Sequence, residues 1–364
     1  MDTLTPPHSL ENRWIKPGDD RTNLQAVPVD QAVNMVLCHD ITRIVPGEFK
    51  GRAFRRGHVV RAEDIPALRK LGKDHLYVWD LQEGLVHEDD AALRMARAAA
   101  GPGVEFGSPS EGRVNLVAQY DGLLKIDVPA LGDVNSVDQV VMATIHGNHR
   151  VQKGQVVAGT RVIPLVVPER TVARVERICG LAAPLIQVSP FRPMRVGVLT
   201  TGSEVYHGRI QDKFGPVLRR KFEELGCVTM PQVFVPDDVD MTVRAIRGLI
   251  REGAEMLAVT GGMSVDPDDM TPTSIQAAGG RVVTYGAPTF PGAMFLLAFI
   301  DDVPVVGLPG CVMYVRSSIF DLVVPRLVAG ETVTRKEIVA MGHGGLCAGC
   351  AECRYPICPF GKGA

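Results

Sequence analysis

From Arg195 onward the chain repeats one pattern: a short apolar run, a stretch of helical periodicity, then a glycine. Arg195-Val-Gly-Val-Leu-Thr200 precedes a helix expected over 212–225 and stopped at Gly226. The run 227–234 precedes a helix over 237–252 stopped at Gly253. Met256-Leu-Ala-Val-Thr260 precedes a helix over 272–278 stopped at Gly279-Gly280, and 281–285 is a further strand. Such runs are too short for helices and too continuously apolar for half-exposed strands, so they read as strands buried on both faces. Their alternation with helices predicts an α/β fold, a doubly wound and mostly parallel sheet. Ligands of such sheets sit outside the carboxyl ends of the strands.

Three loops fall at those ends. Gly261-Gly-Met-Ser-Val-Asp-Pro-Asp-Asp-Met-Thr-Pro272 offers two glycines that let the backbone approach a ligand, the Ser264 hydroxyl, and the carboxylates of Asp266, Asp268 and Asp269. The glycine end suits a phosphate and the carboxylate end a hard cation, although a polar turn capping a helix would look the same. Asp266 and Asp268 read as solvated turn residues. Thr201-Gly202-Ser203-Glu204 follows the first strand, and Gly307-Leu308-Pro309-Gly310-Cys311 follows Val303–Val306 and leads into a helix over 313–328. Each loop alone is a weak signal, but a parallel sheet places all three on one edge. Cys311 is either a soft atom at that edge or a small buried residue.

Upstream, residues 1–27 read as a polar lead-in and 30–37 as a helix with Asp30 as N-cap. Residues 40–45 and 76–79 read as strands, with helices over 63–71 and 87–100. The region 104–188 reads mostly as β, with candidate strands at 113–118, 123–128, 139–146, 155–158 and 161–167 separated by Gly, Asn and Asp. His146 and His149 read as solvent-facing turn residues. The expected division is an N-terminal small α/β segment over 1–103, a β-rich domain over 104–192, the sheet domain over 193–335 and a cysteine-rich tail over 336–364.

With 364 residues and 46% hydrophobic residues, the chain has material for several cores. A net charge of −2 gives no electrostatic reason for binding nucleic acid or an anionic membrane. No secretory leader is evident and no apolar run nears the ~20 residues of a membrane span, so a cytoplasmic location is expected.

Thr201-Gly-Ser-Glu204, then Gly261-Gly-Met-Ser264 with Asp269-Met-Thr-Pro272, then Leu308-Pro-Gly310, in this order, resemble the molybdenum cofactor biosynthesis domain. That domain is shared by molybdopterin adenylyltransferases and molybdopterin molybdenumtransferases. The resemblance covers about 193–330. It implies that Thr201, Gly202, Ser203, Gly261, Gly262, Ser264, Pro309 and Gly310 hold molybdopterin, and that Glu204 and Asp269 act in catalysis with Mg²⁺. The implied activity is Mg-assisted insertion of molybdate into molybdopterin or its adenylylated form, by a homo-oligomer that could supply a molybdoenzyme. Ala293-Met294 stand where the molybdenumtransferase branch has Lys-Pro, and Cys311-Val312 where it has Asn-Pro. The alternative is a non-catalytic cofactor carrier or sensor, its tail a docking or redox element.

Cys347, Cys350, Cys353 and Cys358 follow a C-x2-C-x2-C-x4-C-P spacing. This lies one residue from a bacterial ferredoxin run, and four thiolates also suit a structural zinc. An iron–sulfur cluster or Zn²⁺ is therefore expected in the tail, with His343 as an alternative ligand or a turn residue.

Overall fold

The structure, a computed structural model, describes residues 25–45, 49–78, 84–182, 184–264, 266 and 269–363. The readings made on 1–24, Trp79 and Asp268 lie outside these.

The sheet domain forms as its pattern predicts, except that the run expected as one strand over 227–234 is broken at Met230-Pro231 into two short strands along the same neighbour. Seven strands include five parallel ones, Arg195–Thr201, Val228–Thr229, Val233–Val235, Met256–Thr260 and Val303–Leu308. Leu296–Ile300 and Arg281–Tyr285 close one edge antiparallel. Side chains alternate across the sheet as the period of two demands. Val196, Val198, Met256, Ala258, Val306 and Leu308 pack on one face with Leu218 and Phe222 of Phe214–Glu223 and with Phe320 and Val323 of Ile319–Val328. Leu199, Leu257, Val259 and Val305 face the other side, against Ile246 and Leu249 of Val239–Arg251 and Ile275 of Thr271–Ala277. Both faces are thus covered, which explains why Met256–Thr260 is buried at every position.

The middle region holds two elements its β-rich reading missed. Val128–Asn135 and the longer Glu169–Leu181 are helices. Val172, Val175 and Cys179 recur at helical spacing on the buried stripe of the second. Helix Glu88–Ala99, read with the N-terminal segment, also buries its alanines in this region's core beside Leu116, Met142 and Val162. The N-terminal region has its own cluster of Val29, Leu37, Ile41, Val60, Leu68 and Leu76. The helix expected over 30–37 is absent. A 3-10 turn at Val29–Gln31 ends before Asn34, whose φ of 69° breaks any helix, and Val36 and Leu37 then bridge extended partners. Among the described residues no helix is long and apolar enough to cross a membrane.

His149 corrects its turn reading. It lies in the strand His149–Val151 and is buried, with Nδ1 3.3 Å from the Tyr355 hydroxyl and Nε2 without a hydrogen-bond partner among the described residues. Burial pushes its pKa down to about 4, helped by Lys362 and His146 nearby. Below pH 6.5 the unfolded chain therefore takes up a proton that the folded chain refuses until about pH 4. Stability should be unaffected above pH 7 and fall across that window by on the order of 3 kcal/mol. Urea unfolding at pH 7 and pH 4.5 checks this: His149→Asn should flatten the difference.

Candidate functional site

The parallel register sets the site. Thr200 pairs with Thr260, Thr260 with Leu308, and Thr201 with Val235, so the loops after three strands leave the sheet at one level. Four threonines form the floor. Thr200 and Thr260 hydroxyls lie 2.9 Å apart, those of Thr201 and Thr271 3.0 Å apart, and Thr271 donates to the Gly261 carbonyl at 2.9 Å. All four are buried. The Thr201 hydroxyl, implied as a cofactor donor, is thus engaged in tying two loops together.

The Gly-Gly pair is required by contact. Gly261 has a φ of 81°, and a Cβ there would stand 2.0 Å from the Thr201 carbonyl oxygen. One at Gly262, with a φ of 53°, would stand 2.7 Å from the Thr271 hydroxyl. The backbone crosses directly over the end of the neighbouring strand. Gly310 differs: its φ is ordinary and no atom of the described residues lies within 4 Å of a Cβ.

Two serine amides at this edge already hold carboxylates. Ser203 N–H donates to Asp237 at 2.9 Å, and Ser264 N–H donates to Asp269 at 2.8 Å. Both are geometries that bind anions. The Asp269 amide in turn donates to the Asp266 carbonyl, closing the turn. Tyr285 donates to the Met263 carbonyl at 3.2 Å; burial, and then the Asp269 charge, raises its pKa. Its position beside Asp269 was not legible in the sequence, because its strand pairs antiparallel through a partner strand that went unread. Glu204 is exposed, and its carboxylate folds back over Gly202, within 3.1–3.3 Å of where a Cβ would be. Pro309 is buried and starts the 3-10 turn Gly310–Met313; Cys311 is half-buried, and burial raises its thiol pKa. The helix expected from Met313 begins only at Ile319, capped by Ser318.

The tail packs against two segments of the same domain. Phe290 N–H donates to the Gly345 carbonyl and Cys347 N–H to the Phe290 carbonyl, both at 2.8 Å. Cys353 Sγ lies 3.3 Å from the Ser317 hydroxyl, and Tyr355 donates to the Asp321 carbonyl at 2.9 Å. Phe360 is buried in the core. Cys347 and Cys358 rest against that core while Cys350 is exposed. Among the described residues no three His, Cys, Asp or Glu side chains gather as a metal site, so the four thiols are not brought together here.

The fold defines the class of doubly wound α/β domains, whose ligands sit outside the carboxyl ends of the strands, where these loops lie. Residues 197–329 match the family described as probable molybdopterin binding domain, and this segment belongs to the molybdenum cofactor biosynthesis domain family. Residues 26–80 match a domain of unknown function (DUF8806). A molybdopterin molybdenumtransferase of Staphylococcus aureus (strain MSSA476) is 23% identical over 286 residues, 77% of this chain and 63% of that protein. A CinA-like protein of Mycobacterium sp. (strain JLS) is 33% identical over 88 residues, 24% of this chain and 21% of that protein. The chain thus spans about a fifth of the CinA-like relative and just under two thirds of the molybdenumtransferase. The molybdopterin biosynthesis enzyme MoaB from Thermus thermophilus aligns with a TM-score of 0.30 at 20% identity, over 38% of this chain and 98% of that one.

Proposed function

We propose that the chain binds molybdopterin at the edge formed by Thr201–Glu204, Gly261–Asp269 and Leu308–Gly310, and there assists insertion of molybdate into molybdopterin or its adenylylated form. The observation that carries this is the register of the three strands, which brings the three motif loops to one level. The donor set fits the ligands. The Ser203 and Ser264 amides would take a phosphate in place of Asp237 and Asp269, and Glu204 with the released Asp269 would supply hard oxygens for Mg²⁺. When bound, that ion would neutralise charge on phosphate or molybdate oxygens. Gly202, Gly261 and Gly262 would keep the backbone close to the ligand, and Pro309-Gly310 would close its far side.

A second reading, a carrier or sensor of the finished cofactor, is favoured by Ala293-Met294. This loop has no cation where the molybdenumtransferase pattern has lysine. The four-part division is proposed with helix Glu88–Ala99 moved to the middle unit. Also proposed are an iron–sulfur cluster or Zn²⁺ on Cys347, Cys350, Cys353 and Cys358, a homo-oligomeric cytoplasmic protein, and a molybdoenzyme as recipient.

Titration of the anaerobically purified protein with molybdopterin, with and without molybdate and Mg²⁺, tests these readings. Metallated cofactor formed only with Mg²⁺ supports insertion, and tight binding without conversion supports the carrier. Absence of binding overturns both, and metal analysis of the same preparation decides the tail. Asp269→Asn should lower conversion at least tenfold while leaving the unfolding midpoint within a few degrees, since its amide can still accept from Ser264. Unchanged turnover would remove Asp269 from the chemistry.

A further inference from the structure

A cleft of about 440 Å³ lies on the middle unit, away from the three motif loops, and its lining includes Ser108, Ser110, Glu111, Arg113, Asn115 and Arg161. This volume is within the range of small-ligand sites. Its wall is the outer face of two antiparallel strands. In Arg113–Ala118 the residues Val114, Leu116 and Ala118 enter the core, which turns Arg113 and Asn115 outward. Arg113 is directly paired with Arg161 of Val156–Val162, and Asn115 with Gly159.

Two arginines directly opposite each other on neighbouring strands repel, an arrangement a sheet normally avoids. Little here offsets them. Among the described residues Arg113 has no ion pair, and the acidic partner of Arg161 is Glu88 at 3.5 Å. The Glu88 carboxylate is packed against Gly112, and burial raises its pKa to about 7, which weakens its compensation. Gly159 leaves the wall beside the pair without a side chain. Glu111, in the left-handed region at a φ of 53°, turns its carboxylate to the Thr42 hydroxyl at 2.8 Å. A bulky non-glycine residue held there is a strained position kept by its surroundings.

We propose that this cleft is a binding site for a small organic phosphate monoester, separate from the molybdopterin edge. The Arg113 guanidinium, with the Arg161 donors not taken up by the Val162 carbonyl at 3.2 Å and Glu88 at 3.5 Å, offers more donors than one planar carboxylate takes up, and matches a tetrahedral dianion with three free oxygens. Asn115 and the Ser108 and Ser110 hydroxyls supply neutral donors around it. Glu111 repels both anions alike, but only the ester carries hydroxyls that can donate to it, so the cleft favours the ester over inorganic phosphate.

The test is calorimetric titration of the full chain with ribose 5-phosphate and with inorganic phosphate, together with backbone NMR shifts. Saturable binding of the ester is expected, at least tenfold tighter than inorganic phosphate, with shifts centred on 107–117 and 156–161. Arg113→Ala and Arg161→Ala should each weaken it at least tenfold, and Arg113→Lys should recover only part. Both arginines are on the outer face, so the unfolding midpoints report whether the variants are folded. Absence of saturable binding to the folded wild-type chain, unchanged affinity in both alanine variants, or shifts centred on 201–204 and 261–269 would overturn the proposal. Molybdopterin titrations of Arg113→Ala should match the wild type, so the two sites fail or stand separately.

Discussion

Replacing Gly261 by alanine is expected to destabilise the protein by about 2–5 kcal/mol, combining a left-handed backbone with an overpacked contact. The added methyl would sit 2.0 Å from a backbone carbonyl, that of Thr201, which has no rotamer through which to move aside. Relief would require the loop to lift from the strand end. That movement would break the Thr271 donation to the Gly261 carbonyl and unsettle the Thr201–Thr271 contact beneath it. The same change at Gly310 should be within about 0.5 kcal/mol of neutral, as for a surface substitution. Among the described residues nothing lies within 4 Å of a Cβ added there. Denaturant unfolding of the two variants separates glycine kept for contact within the protein from glycine kept, if at all, for a ligand. A loss below about 0.5 kcal/mol at Gly261 would show that the crossing can open without penalty. Equal and large losses at both would mean that Gly310 is held by something other than the packing described.

The sheet domain was legible because its signals are local. The central strands Arg195–Thr201, Met256–Thr260 and Val303–Leu308 are apolar runs buried on both faces, and the helices Phe214–Glu223, Val239–Arg251 and Thr271–Ala277 each stop shortly before a glycine. The strand Leu296–Ile300, which lies between Val303–Leu308 and the edge strand Arg281–Tyr285, escaped because one apolar run after a loop carries no direction, and only its pairing with Val303–Leu308 shows it to be antiparallel. Helix Glu169–Leu181 escaped for another reason. Its apolar stripe of Val172, Val175 and Cys179 is narrow and sits among arginines and glutamates that cover the remaining faces. Arg94 reaches across to Glu169 and Glu176, contacts between residues 75 and 82 positions apart that no local pattern announces. At the site, motif order gave the loops, and the strand register gave their common level. What the sequence could not give was the use of each donor. Thr201 reads as a free hydroxyl beside a glycine, and only the fold shows it turned down onto Thr271. Ser264 reads as a hydroxyl donor, whereas the structure engages its amide with Asp269.

Lys221→Met should cost about 3–5 kcal/mol, the range for leaving one member of a buried ion pair alone. Lys221 is buried, and its ammonium donates to both Asp321 oxygens, at 2.7 and 2.9 Å, and to the Arg316 carbonyl at 2.9 Å. Without it the Asp321 carboxylate keeps the Ser318 amide at 2.8 Å but loses its only ion-pair cation among the described residues. An exposed pair such as Arg61–Glu63 should be worth about 1 kcal/mol or less, since water screens both groups. Adding Asp321→Asn to Lys221→Met should recover most of the loss, because the neutral amide oxygen can still accept from Ser318 and no buried charge remains. Urea unfolding of the two single variants and the double variant gives the coupling directly. Additive losses would show that the two side chains do not act as a pair. The effect should also reach the tail. Asp321 receives the Tyr355 hydroxyl on its carbonyl, and Ser317, next to the Arg316 carbonyl, contacts Cys353. Loosening this segment in Lys221→Met should speed thiol labelling of Cys353 while leaving the already exposed Cys350 unchanged. The stretch 316–321 runs from beyond the Leu308–Gly310 loop into the first turn of helix Ile319–Val328, so the same pair that stabilises the core also holds the segment on which Cys353 and Tyr355 of the tail rest.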